Sequence, residues 1–221
     1  MAMALALLWG LSTGAVAQDE PVDEVGNELE RITVLLDREQ APARRWWWGW
    51  FGAFGGLTVG QGLIAATSKD LDVRTAMTIG AAGSLLGVGN MLINPYPARH
   101  GASALRGLPT DTPQERLAAL QTANALFERT AHTEAAYFAW IAHAGGIAVS
   151  AASFGVLWFQ YDLRQDAVVN LVGGLAITEA QIFTAPRRVH RAWKDDEGHA
   201  VARVEYHLRV EPRGIALYGR F

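Results

Sequence analysis

Two residues stand out as capable of acid–base or ligand chemistry, because each is ionisable and lies within a long apolar stretch: His143 and Glu179. Ionisable groups at membrane depth are costly and mark functional candidates by default. The two stretches fold back on each other about the turn near Leu163, which leaves His143 and Glu179 twenty and sixteen residues from it. At the helical rise these are depths of roughly 30 and 24 Å from one side, so the pair is expected to meet within about one helical turn. A His–carboxylate pair of this kind would move a proton or bind a small ligand, or it would fix helix pairing as a buried polar contact with Gln181 as a further member.

Other chemistry finds little to stand on. The chain has no Cys, which removes disulfides, thiolate metal sites and Cys nucleophiles. His100, His132, His190, His199 and His207 lack the close spacing of a metal site, so no metal and no cofactor is expected. No glycine-rich loop follows a strand and no Ser/His/Asp order is recognisable. His190 among Arg187, Arg188 and Arg191 reads as a basic juxtamembrane cluster. With a net charge of −3 and no basic block interleaved with aromatics, nucleic acid is excluded as a partner.

The elements that must position the pair are helices in a bilayer. Half the residues are hydrophobic, and they gather into four runs near 46–67, 75–95, 135–159 and 167–186, each about long enough to cross a membrane. Frequent Gly, Ser and Thr in these runs favour close helix packing. Trp46, Trp47, Trp48 and Trp50 open the first run and Trp140 the third; at such places indoles form an interfacial belt.

An internal duplication organises the runs. Trp50, Gly55-Gly56 and Val59 recur 90 residues later as Trp140, Gly145-Gly146 and Val149, and Asp72-Val73-Arg74 as Asp162-Leu163-Arg164. One residue out of phase, Gly83 matches Gly174 and Pro95 matches Pro186. Each copy reads as an amphipathic helix, a connector and a transmembrane hairpin, and an even number of crossings makes the copies parallel. Ala53 and Val88 stand where the second copy has His143 and Glu179, so only one copy carries the pair.

In the first amphipathic helix Leu29, Ile32 and Leu36 share a face. In the second, Leu117, Leu120, Ala123 and Phe127 do so, after a strong start signal at Thr112-Pro113-Gln114-Glu115. These faces are expected to pack within the protein; lying at the lipid interface, or binding a membrane or periplasmic protein partner, are the alternatives. No breaker separates Phe127 from Trp140, so the second helix could run on into the third span. After Glu197 the pattern alternates, and Pro212-Arg213-Gly214 predicts a turn between two strands.

The sequence thus predicts an all-α integral membrane protein of four transmembrane helices, in two tandem parallel hairpins each preceded by an amphipathic helix, with a C-terminal β-hairpin. Its segments are 1–17 (signal peptide), 18–45 (amphipathic helix and connector), 46–100 (hairpin 1), 101–134 (amphipathic helix), 135–190 (hairpin 2) and 191–221 (extramembrane tail). The signal peptide rests on a short apolar core and Ala15-Val16-Ala17, although no Lys or Arg precedes it. Uncleaved, it would be a short fifth span. Cleavage would put the amphipathic helices and tail in the periplasm of a bacterial inner membrane, whereas Arg44, Arg45, Arg99, Arg187, Arg188, Arg191 and Lys194, against only Lys69, Arg74 and Arg164 at the turns, would draw that side inward. The cleavage pattern is the more specific of the two signals. A non-enzymatic scaffold or assembly subunit is the reading these features favour; a small transporter or membrane-embedded enzyme using His143 and Glu179 is the alternative.

Overall fold

The computed structural model describes residues 24–202, 205–211 and 214–220; the signal-peptide segment 1–17 and the turn at 212–213 lie outside the described residues. The chain folds as α1 (Glu24–Thr67), α2 (Leu71–Ile93), a 3-10 turn (Pro97–Arg99), α3 (Gly101–Leu105), α4 (Pro113–Tyr137), α5 (Trp140–Gly155), α6 (Arg164–Thr184) and α7 (Arg188–Ala202). A wider π turn over Val156–Gln160 carries α5 on to its end.

Helices α2, α5 with its π turn, and α6 are 23, 21 and 21 residues long and apolar enough to cross a membrane. Only 17, 11 and 17% of their most apolar windows is buried inside the protein, so the apolar side chains face outward. Outward Leu85, Leu86, Val169 and Val172 would be unstable in water and are at home in lipid. The chain therefore has the make-up of a helical membrane protein. The second half of α1, expected as the first of four spans, is not among these three: Gln61 and six glycines between Gly49 and Gly62 dilute its apolar character.

Below this apolar layer the first half of α1, α3, α4 and α7 enclose a core of Ile32, Leu36, Ala102, Leu105, Ala123, Phe127, Ala131 and Val189. The apolar faces of α1 and α4 meet here, except that Leu117 is exposed. A reciprocal capping box starts α4: Thr112 accepts from the Glu115 N–H at 3.2 Å, and Glu115 accepts from the Thr112 N–H at 2.9 Å.

Two expectations about continuity are reversed. No connector interrupts α1, which runs through Pro42 for 44 residues. Proline frees the carbonyl four residues back, here that of Arg38. The Arg188 guanidinium donates to it at 3.1 Å from 150 positions away, so the helix continues with that oxygen satisfied. Conversely, α4 does not run into α5. Phe138 leaves helical geometry and Ala139 is extended (φ −68°, ψ 147°). The aromatics at the break are held from outside: Tyr137 packs edge-on against Trp46 at 4.9 Å, and the Arg187 guanidinium sits 3.6 Å from the Phe138 ring centre.

The apolar helices pair as α1 with α2 and α5 with α6. Both turns lie at one end, where Ala76 of α2 packs with Leu157 and Ala167. Asp70 caps α2 through the N–H groups of Asp72 and Val73, and Asp162 takes the left-handed conformation (φ 54°) that Asp tolerates better than most residues. Glycine permits the closest approaches: a Cβ on Gly87 would lie 2.6 Å from the Phe54 ring, and one on Gly146 would lie 2.2 Å from Thr178 Cγ2.

Candidate functional site

His143 lies one turn inside the start of α5 and Glu179 five residues before the end of α6, and the structure brings them together. Nδ1 of His143 is 2.9 Å from each carboxylate oxygen of Glu179. The bifurcated contact has the geometry of an imidazole N–H donating from Nδ1 to a carboxylate. The two side chains keep 32 and 35% of their surface exposed, on the outside of the α5–α6 hairpin. Phe183 is the aromatic neighbour, 6.1 Å from the imidazole.

Gln181 does not join the pair. It is buried on another face of α6 and donates to Met91 Sδ at 3.2 Å, tying α6 to α2. The tryptophans also separate. Trp48 and Trp140 are exposed, as an interfacial belt requires, but Trp46 and Trp47 are buried. The Trp46 indole N–H faces the Gln181 carbonyl at 3.3 Å and Thr184 Oγ at 3.2 Å, while Trp47 donates to the Met91 carbonyl at 3.2 Å. Trp50, half-buried, donates to Thr184 Oγ at 3.0 Å. For these three the belt reading is corrected: their indole N–H groups are taken up by the Gln181 and Met91 carbonyls and the Thr184 hydroxyl near helix ends, and not by headgroups. They latch α1 to the ends of α2 and α6.

A second polar cluster lies where the extramembrane helices meet the apolar layer, and sequence reasoning missed it. Glu39 and Glu134 are almost fully buried, as is Tyr96. Glu134 acts as a remote cap on α7, accepting from the His190 backbone N–H at 2.7 Å with one oxygen and from the Tyr96 hydroxyl at 2.9 Å with the other. That supplies a partner for an orphan amide in the first turn of α7 from another helix. Burial raises the Glu134 carboxyl above its ordinary range against these hydrogen bonds. Burial, and then the charge of Glu134, raises the Tyr96 hydroxyl.

Glu39 is pushed up to about 7, first by burial and second by the charge of Glu134, with Arg188 opposing. The Arg188 guanidinium is 3.7 Å away and half-exposed, so the attraction is partial. Nearby, Tyr137 is pushed up to about 12 by burial, and its hydroxyl has no partner among the described residues. The signal for both acids was present in the stripes: Ile32, Leu36, Glu39 and Ala43 share one face of α1, and Ala123, Phe127, Ala131 and Glu134 share one face of α4.

Among the described residues no three His or carboxylate groups converge as metal ligands. No protein-family model, no curated protein and no solved structure matches the chain. What the molecule establishes on its own is its class, a helical membrane protein with a polar helical body on one side.

Proposed function

We propose that the protein is a non-enzymatic scaffold or assembly subunit of a bacterial inner membrane, and that the outer face of the α5–α6 hairpin receives a transmembrane helix of a partner. The observation that carries this reading is the place of His143 and Glu179. Paired with each other but one-third open on the outer surface one turn from the end of the spans, they offer a hydrogen-bonding handle that a partner helix can take up. A proton path or substrate site would need water or a cavity beside them, and neither residue lines the membrane-level cleft described below. That speaks for assembly over the transport or enzymatic reading.

The reading includes four crossings in two tandem, parallel, duplicated hairpins. The second half of α1 pairs with α2 as α5 does with α6, and it turns Leu57, Val59, Leu63 and Ile64 outward, which supports a fourth crossing despite its glycines. The paired strands Glu205–Glu211 and Gly214–Arg220 support the C-terminal hairpin. With residues 1–17 cleaved as a signal peptide, the polar body and tail stand in the periplasm.

The test is photo-cross-linking in native membranes from probes at Ile147 and Phe183 on the α5–α6 face, with Leu85 on α2 as the control. One protein adduct common to the first two, absent at Leu85 and lost in His143→Ala/Glu179→Gln, is the expected result. Adducts to lipid alone, or an adduct indifferent to the double variant, would overturn the assignment. Reporter fusions at Lys69 and Arg164 should fall on one side of the membrane; opposite sides would refute the parallel hairpins.

A further inference from the structure

Between the two hairpins, on a face that includes neither His143 nor Glu179, lies a cleft of about 730 Å³ bounded by α2, α5 and the end of α4. Its lining is graded. At one end stand Arg129, Thr133, Asn90 and Asn94 with Tyr137, and at the other Leu86, Val149 and glycines. The Arg129 guanidinium has no hydrogen-bond or ion-pair partner among the described residues. Asn90 uses its carbonyl oxygen to accept from Asn94 at 2.8 Å, which leaves its own amide donors.

The glycines here differ from those at the helix contacts. Gly87 and Gly146 are filled by neighbouring side chains, whereas a Cβ on Gly83 or Gly145 would meet nothing within 4 Å. Both therefore border open space. From Asn94 to Gly83 the cleft extends eleven residues along α2, roughly 16 Å. That is about half the ~30 Å hydrocarbon thickness of a bilayer, the depth of a single leaflet.

We infer that this cleft binds one phospholipid with an anionic headgroup, its phosphate at the Arg129–Asn90–Asn94 rim and one acyl chain along Gly83 and Gly145. An unpaired guanidinium at the mouth complements phosphate. The floor leaves open space for a chain over Gly83 and Gly145. A water-filled vestibule would not end in Leu86 and Val149.

The experiment uses full-length protein in nanodiscs of equal parts phosphatidylcholine and phosphatidylglycerol, followed by gentle detergent extraction and native mass spectrometry. Wild type should retain one phosphatidylglycerol. Gly83→Leu/Gly145→Leu fills the floor and should lower retention on the order of tenfold or more, with an unchanged melting temperature. Arg129→Gln should keep a lipid but lose the preference for phosphatidylglycerol. Equal retention by the glycine variant, or a wild type without headgroup preference, overturns the proposal. Should the glycine variant not fold, a phospholipid carrying a diazirine on its acyl chain decides on wild type. Adducts concentrated at Leu86, Ile141 and Val149 support the site, and adducts spread evenly around the outer helices refute it.

Discussion

Replacing Glu39 by Gln should stabilise the protein at pH 8 and do nothing at low pH. A carboxyl held at about 7 in the fold and near 4.5 in the unfolded chain keeps its proton longer when folded. Between those values the folded state binds more protons than the unfolded one, so stability falls as pH rises from about 4.5 to about 7 and is level above. The interval is worth roughly 3 kcal/mol at 1.36 kcal/mol per tenfold change in proton affinity. Gln keeps the shape and removes the charge, giving up only the partial attraction of Arg188 at 3.7 Å. For a chain of this size each kcal/mol moves the melting temperature by about 2–4 °C, so the variant should melt on the order of 5–10 °C above wild type at pH 8. The gap should have mostly closed by pH 5. Intrinsic tryptophan fluorescence follows the transition, since buried Trp46 and Trp47 sit close to the cluster. A variant that melts with or below wild type at pH 8, or a gap of constant size from pH 5 to 8, would refute the account of Glu39 as a buried acid.

Three further outcomes can be checked by the same melting measurement. Gly146→Ala should cost about 1–3 kcal/mol by forcing a methyl into Thr178, while its neighbour Gly145→Ala should be nearly silent. Glu134→Ala strips the first turn of α7 and the Tyr96 hydroxyl of their acceptor and should cost on the order of 3 kcal/mol or more, at about 1–3 per orphaned group. Thr112→Ala removes one half of the capping box and should cost about 1 kcal/mol, with Thr112→Ser restoring most of it.

What was legible in the sequence is what local periodicity and simple counting carry. Counting back from the turn near Leu163 put His143 against Glu179, because helical rise is uniform and the hairpin leaves no freedom in register. The capping box of α4 was readable because all its parts lie within four residues. What was not legible depends on partners far along the chain. The connector expected after the first amphipathic helix gives way to continuous helix only once Arg188 is known to reach the Arg38 carbonyl that Pro42 frees. The run from Phe127 to Trp140 reads as continuous helix until Trp46 and Arg187 take hold of Tyr137 and Phe138. Tryptophans beside arginines look alike whether they face headgroups or helix ends, and only the carbonyls of Gln181 and Met91 separate Trp46 and Trp47 from Trp48. Glu39 and Glu134 could have been flagged, since each continues an otherwise apolar stripe.

The unbroken course of α1 has a mechanical side. A rod of 44 residues is roughly 66 Å long, and it belongs to the polar body at one end and to the apolar layer at the other. With the carbonyl that Pro42 frees taken up by Arg188, helical hydrogen bonding is not interrupted between Glu24 and Thr67, so one continuous element links the extramembrane helices to the far tip of the first hairpin. Arg188→Ala should leave the Arg38 carbonyl unpaired and make that place, two-fifths of the way along, the point at which the rod bends most easily.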